Sequence, residues 1–517
     1  MERAETSAAG TSPGEQPRAG DAAGAGAAGA GAGGSAGSTG SADLAELLAG
    51  LLSPDQVMTS GPEFRQALSD GTVNRGISGT ADALVEPESP EEVAAVLAFC
   101  YENGLPLVAR GGGTGLAGGS VPDGGVVISL TRLDRIRSLD PGLWRMEVEA
   151  GVTTETVHRI ALENGLLFPP DPGAGGQSTI GGNVATNAGG PHAFRYGVTG
   201  NWVTGLEVVV PPGRVIRTGG PVRKNVAGLD LTNLIIGSEG TLGLVTAAWL
   251  RLVPAPEARG VAIGFYESSA AGCEAILAVI ASGIQPTALE FLDRGTLAAS
   301  LGSFPFEAPD RPGFAVLAEA DGSATEVERV LGELAETLAA AGSRTSHPPG
   351  PASSAQGPTR NGVVTITKRR DTDALWAWRD GVSYAVAAQR GGKISEDIVV
   401  PVDRLAEAVE ETLKIGSRHG LEACSWGHAG DGNLHSTFLV DLADPEQMAR
   451  GKAASDELFA MAIRLGGSIS GEHGVGSLKT GHVREALGDT AVALQADIKR
   501  AFDPKLLLNP GKKIPLP

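Results

Sequence analysis

Cysteine is nearly absent: three residues in a chain of 517, at positions 100, 273 and 424, with no CxxC pair. That excludes a disulfide framework and an iron–sulfur cluster ligated by this chain, and leaves three thiols to be read as buried and inert. No run of about 18 uncharged apolar residues occurs, so no membrane-spanning helix is predicted. Cations are scarce as well. The 41 Lys and Arg against 60 Asp and Glu give a formal charge of −19, with no basic cluster to interrupt it, so nucleic acid is not an expected partner. The N-terminus lacks a basic stretch followed by an apolar one and lacks a twin arginine. The expectation is a cytoplasmic protein, with peripheral attachment at the inner membrane face left open.

What is abundant is glycine, 75 residues of it. Part lies in an Ala/Gly/Ser-rich tail over 1–42, too poor in apolar side chains to offset its ordering entropy. The rest is long enough for two or three domains with an ample core. Within "RGGGTGLAGGS" (110–120), Gly113, Gly115 and Gly118 have the spacing of a dinucleotide fingerprint, which requires a strand before and a helix after. "GLPLVAR" supplies the strand. "GGSVPDGGVVISL" breaks on Gly and Pro and then reads as another strand, so no helix N-terminus awaits a pyrophosphate. A loop this rich in glycine can still wrap phosphates with its own N–H groups. Two more such loops follow, "PPDPGAGGQSTIGGNVATNAGG" (169–190) and "GSEGTLGLVT" (237–246). One alone would merely join strands; the set, with its Ser, Thr and Asn donors, predicts an extended dinucleotide lying across a domain.

From 43 to 255 the pattern reads as α+β around a mixed sheet. Its helices include one capped at Ser89, with Glu92 completing a capping box, and "TTETVHRIALENG". Near 256 the texture changes. "EARGVAIGFYESSAAGCEAILAVIASGIQPTALEFLD" and "RPGFAVLAEADGSATEVERVLGELAETLAAAG" each read strand, helix and onward, predicting a ferredoxin-like α+β domain over 256–465 with helices on one face. A Pro/Ser/Gly stretch, about 343–361, predicts a surface loop, and a helix is predicted from Thr372 to the Gly391 stop.

The chemistry-bearing residues cluster late in the chain. "WGHAGDGNLHSTF" (426–438) sets His428 and His435 on either side of a Gly-Asp-Gly turn, and "SISGEHGVGSLKTGH" offers Glu472 and His473 between glycines. Two imidazoles and a carboxylate make a three-ligand divalent site with open positions. Four of the eight histidines fall in these two motifs, which favours a metal or acid–base site over satisfied core histidines. Asp431 is a rival ligand, although an Asp between glycines usually bonds its own turn. Arg379 and Ser383 are four apart on one helix face and Lys393 follows the helix stop; a guanidinium fork suits a carboxylate, while a solvated helix with ordinary surface cations reads equally well.

Together with "RYGV", "GLDLTNLIIGSEGTLGLVT" and "DPKLLLNPGKK", these motifs run in order from about 105 to 513. In that order the chain resembles the FAD-dependent D-2-hydroxyacid dehydrogenases of the vanillyl-alcohol-oxidase-like flavoprotein family. That group includes the cytochrome-type D-lactate dehydrogenases, the FAD subunit of glycolate oxidase and D-2-hydroxyglutarate dehydrogenase. The resemblance implies an α+β fold in which a two-part FAD-binding domain of the PCMH type, 43–255 and 466–517, receives the substrate domain 256–465 as an insertion. It implies FAD at Gly111, Gly112, Gly113, Thr114, Gly115, Pro170, Ser178, Thr179, Gly181, Gly182, Asn187, Glu239, Gly240 and Asn509. The flavin is expected to be non-covalent, because this first loop carries Thr114 and no His. It further implies a zinc-like divalent cation on His428, His435 and Glu472, with His473 as the base. Arg379, Lys393, Ser383 and Asn433 are the implied substrate-binding residues.

The implied reaction is oxidation of a D-2-hydroxy acid to the 2-oxo acid, with D-lactate or glycolate foremost. Alternatives are D-2-hydroxyglutarate, another alcohol on the same fold, or a flavin-binding subunit without turnover. The electrons would pass to a cytochrome, a quinone, an electron-transfer flavoprotein or an iron–sulfur subunit, and a homodimer is allowed. One departure stands out: Gly200 and Asn201 occupy the place of an Arg-Asp pair found in many relatives, which puts a local surface contact in doubt.

Overall fold

Glycine and proline between 111 and 125 decide the first piece of architecture. Strand Leu107–Arg110 runs parallel to Val126–Ser129 with Leu107 opposite Val126, and no helix intervenes, as the sequence predicts. The computed structural model describes residues 41–342 and 363–516; most of the expected tail and the expected surface loop lie outside these residues. Strands 57–58, 83–85, 126–129 and 107–110 form a four-stranded sheet in that order. Helix Pro90–Asn103 covers it with Val93, Val96, Leu97 and Cys100. Ser89 caps this helix by accepting from the Glu92 N–H at 3.2 Å. Glu92 does not close the box on Ser89: its carboxylate takes the Glu88 N–H and the Gln56 amide instead.

A second sheet replaces the single mixed one expected for this region. Strands 136–140, 145–149, 244–251, 203–210 and 214–219 make a five-stranded antiparallel sheet. The cause is the short turn at 141–144: it folds 145–149 back on its neighbour as a hairpin, which antiparallel pairing permits and a parallel crossover does not.

The third sheet carries the polar motifs, and its elements are numbered here. In chain order they are β1 (Ala258–Tyr266), α1 (Ser269–Ala281), β2 (Ala288–Asp293), β3 (Phe314–Gly322), α2 (Ala324–Ala340) and β4 (Val363–Ile366). Then come α3 (Arg369–Ala388), β5 (Lys393–Val399), α4 (Leu405–Arg418), β6 (Ala423–His428), β7 (Asn433–Leu439) and α5 (Pro445–Arg464). The order β4-β1-β3-β2 is the ferredoxin-like arrangement, and β6-β7-β5 extend it to seven antiparallel strands. Helices cover both faces rather than one. Ile276 of α1, Leu334 of α2, Val409 of α4 and Leu458 of α5 bury one face. On the other, α3 lays a stripe of Leu375, Trp378, Val382 and Val386 over Ile263, Leu292 and Leu317. The stripe ends where this face becomes polar, and that is where the conspicuous residues lie.

After α5 the chain returns to the first sheet: Asn509 N–H bonds Leu107 O at 2.7 Å. All three cysteines are free and buried, and burial pushes each thiol up to about 12, so they are inert as expected. No helix among the described residues is long and apolar enough to cross a membrane.

Candidate active site

Side-chain alternation on β6 and β7 builds the centre. Trp426 lies opposite His435 across β6–β7, so His428, two residues beyond Trp426, points to the same face as His435. The Gly-Asp-Gly turn, a short 3-10 turn from Ala429 to Asp431, reverses the chain between them. The ligand atoms of His428, His435 and Glu472 lie within 4.8 Å of one another. Glu472 Oε1 is 3.4 Å from His428 Nε2 and 3.5 Å from His435 Nε2. His473 stacks on His435 with centroids 5.3 Å apart and comes 4.0 Å from Glu472. Asp431 stays outside the three-residue cluster, and His482, the fourth histidine of the two motifs, instead faces Asp456 at 3.0 Å.

The Glu472 carboxylate and a neutral His435 suit a divalent cation, which His428 joins by giving up its Nε2 proton. Burial works against ionising Glu472, but His428 and then His435 and His473 hold its carboxyl down at about 2. Burial pushes His435 down to about 3, which leaves a neutral imidazole, the form a metal needs. His428 goes the other way: burial opposes its proton, and Glu290 and Glu472 override burial and raise it well above the usual value. Glu290 accounts for this. It lies opposite His428 across β2–β6, and its Oε1 is 2.6 Å from His428 Nδ1. An imidazole that gives Nδ1–H to a carboxylate keeps Nε2 for a metal.

Asp397 on β5 positions the second motif. Its Oδ2 accepts from Ser470 Oγ and from the N–H groups of Gly471, Glu472 and His473, at 2.8 to 3.0 Å. Its Oδ1 takes the Asn433 amide at 2.6 Å, so Asn433, implied as a substrate contact, is also a brace between strands. Buried Lys479 bonds the carbonyls of Asp397 and Ile469 behind the loop.

The implied substrate cations lie on the same face. Arg379 pairs with Glu290 Oε2 through Nε at 2.8 Å and Nη2 at 2.5 Å, yet Nη2 lacks hydrogen-bond geometry toward any acceptor and is left as a buried donor. Lys393 bonds Ser383 Oγ at 2.5 Å and lies 4.7 Å from the Trp426 ring. Burial pushes its ammonium down to about 8, and Arg75 adds to the effect. Arg75, from the N-terminal part, is 2.7 Å from Glu396 Oε1.

The glycine loops converge as a set. A Cβ on Gly112 would meet Gln177 O at 1.9 Å, and one on Gly111 would meet Thr179 Oγ1 at 2.5 Å, so the first two loops touch through backbone. Thr179 caps helix Ile180–Thr186 by accepting from Gly182 N–H, Ser178 Oγ bonds Thr154 Oγ1, and Gly181 packs on Ala150. Asn187 accepts from Gly200 N–H at 2.8 Å, which places the departing Gly200 against a loop residue rather than at a free surface. Pro170 is buried, and its carbonyl is 2.8 Å from His158 Nε2. Gly113, Thr114 and Gly115 continue the first loop, with Gly71 against the carbonyls of Thr114 and Gly115. Gly240 packs on Ala109. Two of the implied cofactor residues are committed to the protein itself: Glu239 accepts from Val475 and Gly476 N–H, and the Asn509 amide bonds Glu239 O and Gly119 O. Gly189 approaches Glu472 so closely that a Cβ there would lie 3.0 Å from Oε2, so the second glycine loop borders the cluster.

Four residues escaped the sequence reading: Glu290, Asp397, Arg75 and His192. His192 hydrogen-bonds Asp171 through Nδ1, sits 3.3 Å from Glu319 through Nε2, and lies beside Trp376. The "RYGV" motif, read only as part of the resemblance, ties the loop to β3 through Arg195 and Tyr196, each 2.8 Å from Asp321. The available signal was an acidic residue inside an apolar strand run, as in "ALEFLD" and "KISEDIVV".

Comparison with known proteins agrees in extent. A family described as FAD binding domain matches residues 81–219, and one described as FAD linked oxidases, C-terminal domain, matches residues 255–513. Glycolate oxidase subunit GlcD of Bacillus subtilis is 36% identical over 463 residues, covering 88% of this chain and 95% of its own. D-lactate dehydrogenase of Anaerostipes hadrus is 36% identical over 440 residues, covering 83% and 89%. Among solved structures, p-cresol methylhydroxylase with substrate bound matches with a TM-score of 0.75 over 92% of this chain and 97% of that one, at 18% identity, a likeness of fold alone.

Proposed function

Since the chain belongs to the FAD-linked oxidases of the glycolate oxidase and D-lactate dehydrogenase group, we propose that it oxidises a short D-2-hydroxy monocarboxylic acid, D-lactate or glycolate, to the 2-oxo acid. It is an FAD-linked oxidoreductase; the choice of substrate and the part played by a divalent cation are what this reading adds. The observation that carries it is the convergence of His428, His435 and Glu472 beside His473. Those three residues would hold the cation, zinc by its ligand types. The glycine loops at 111–115, 178–182 and 237–240 would hold FAD, without a covalent bond.

When bound, flavin supplies the hydride acceptor and the cation the Lewis acidity that makes a secondary hydroxyl ionisable at neutral pH. His473 takes the hydroxyl proton. Burial keeps it below its usual value against the pull of Asp397 and Glu472, so the imidazole is neutral and ready as a base, a role that contributes about 10²–10⁴-fold. Asp397 fixes the backbone of that base. Lys393 and Ser383 receive the substrate carboxylate, and Arg379, held by Glu290, lies on the same face.

Charge bookkeeping favours one carboxylate. Glu290 neutralises Arg379 and Glu396 neutralises Arg75, whereas the described partners of Lys393 are a hydroxyl and an aromatic ring. D-2-hydroxyglutarate, the second reading, would bring another carboxylate to a face with one uncompensated cation. The test is an anaerobic panel of D- and L-hydroxy acids followed by flavin bleaching, with chelator and with metal restored. D-lactate or glycolate should bleach the flavin fastest, and chelation should slow it. Faster bleaching by a dicarboxylate would move the assignment to the second reading, and no bleaching by any acid would leave a flavin-binding subunit without turnover.

A further inference from the structure

Glu290 is a charged group of the site with no accessible surface, and it touches two residues of different roles. Oε1 faces His428 Nδ1 at 2.6 Å; Oε2 faces Arg379, Nε at 2.8 Å and Nη2 at 2.5 Å. We propose that Glu290 is a positioning residue that couples occupancy of the cation site to the readiness of Arg379 for a substrate carboxylate. The inference rests on the cation-site reading above.

The physical argument is that one negative charge is shared between two positive demands. By accepting from Nδ1, Glu290 fixes the tautomer that leaves His428 Nε2, 3.4 Å from Glu472, as the ligand atom. By accepting from Arg379 Nε, with Nη2 2.5 Å from the same oxygen, it sets the guanidinium plane and neutralises it. A cation on Nε2 makes the Nδ1–H more acidic and draws the carboxylate toward His428. Arg379 is then less neutralised and pairs more readily with an incoming carboxylate. Reciprocity requires the converse: removing Arg379 should leave more of the Glu290 charge for His428 and tighten the cation. Strand register and helix packing bring the three together, with β2 and β6 placing Glu290 opposite His428 and α3 carrying Arg379 to Glu290.

The experiment is a double-mutant cycle on the metal-stripped, FAD-loaded protein, titrated with Zn²⁺ and then with propionate, a monocarboxylate that has no 2-hydroxyl to oxidise. Glu290→Gln keeps the shape, but its amide can accept toward only one partner, so Zn²⁺ affinity should fall about 10–100-fold, the usual cost of losing such a second partner of a ligating histidine. Arg379→Met, which touches no ligand, should tighten Zn²⁺ about tenfold in the parent and much less in the Glu290→Gln background, because side chains sharing a network are non-additive. Propionate should bind more tightly after Zn²⁺ loading in the parent, and that gain should shrink in Glu290→Gln. Equal effects of Arg379→Met in both backgrounds would overturn the coupling. So would a Glu290→Gln protein that holds FAD normally and binds Zn²⁺ as well as the parent. Should Glu290→Gln fail to hold FAD, Arg379→Met decides alone, and an unchanged Zn²⁺ affinity there refutes the proposal. Separately, a His428→Ala protein with undiminished Zn²⁺ affinity would remove the cation site itself, a failure distinct from loss of coupling.

Discussion

Lys393 offers the sharpest test of how the substrate is held. Replacing it by Met keeps an apolar stem over Trp426 and removes the ammonium. A carboxylate about 4 Å from the ammonium at an effective dielectric near 20 would gain about 4 kcal/mol of Coulomb energy before desolvation. The net for a hydrogen bond to a charged group is about 1.5–3 kcal/mol, so kcat/KM should fall roughly 10- to 150-fold in Lys393→Met. The same numbers set the pH dependence. Burial holds the ammonium at about 8, so it is charged below that pH and neutral above, and the carboxylate partner is lost as pH rises. Since kcat/KM reports the free enzyme, its alkaline limb should lie near 8. A bound carboxylate stabilises the charged form, and about 1.5–3 kcal/mol corresponds to about one to two pKa units, so the limb in kcat should shift upward by that amount. Anaerobic stopped-flow flavin reduction, run from about pH 6 to about pH 10 with D-lactate or glycolate, separates the two limbs. Lys393→Met should lose the limb as well as the rate. A variant that kept the parent's kcat/KM, or the parent's alkaline limb, would refute a role for Lys393 in binding the carboxylate.

Three further outcomes follow from the geometry. Glu472→Ala should bind FAD normally, fail to retain zinc by elemental analysis, and reduce its flavin at least ~10²-fold more slowly, the scale set by losing a Lewis acid and a base-orienting partner. Gly112→Ala should purify depleted of flavin absorbance, because its Cβ would lie 1.9 Å from Gln177 O, whereas Gly173→Ala, which meets nothing within 4 Å, should stay yellow. Asp397→Asn should unfold at a lower temperature and lose activity together, since breaking a buried charge with five donors costs about 3–5 kcal/mol.

Much of the candidate site could be read from the sequence because its candidate ligands are local. His428, His435, Glu472 and His473 come from two short glycine-bounded motifs, and a turn between two strands needs no tertiary knowledge to place imidazoles side by side. The glycine loops were legible for a similar reason: absence of Cβ is written in the sequence, and the missing helix after Gly118 already argued against a nicotinamide fold. Glu290, 138 residues from His428, was not legible, because its role exists only through strand register, and a slip of one residue would turn it to the opposite face. Asp397 and Arg75 depend on pairings as remote. The sequence also misplaced α3: the Leu375–Trp378–Val382–Val386 stripe shows an amphipathic helix but not which face of the sheet it will cover. The two separate sheets before residue 255 were missed because strand propensity names strands, while the hairpin at 141–144 decides which of them pair.

The segment from Ser470 to Gly476 joins these two kinds of information. At its start Asp397, from the seven-stranded sheet, accepts three consecutive backbone N–H groups. At its end Glu239, from the third glycine loop, accepts two more, at 2.8 and 2.7 Å, and Lys513 from the C-terminal segment neutralises it. Glu472 and His473 therefore hang between two buried carboxylates, one on the seven-stranded sheet and one in the third glycine loop, and Gly189 closes the gap from the second. On the proposed function, a base that must reach a substrate hydroxyl on one side and face the flavin-holding loops on the other cannot be placed by either part alone. Tying its backbone to both fixes the distance that matters, through five backbone hydrogen bonds to two buried side chains. That is why two acidic residues with no chemical step in the proposed reaction sit deeper than the histidine proposed as its base.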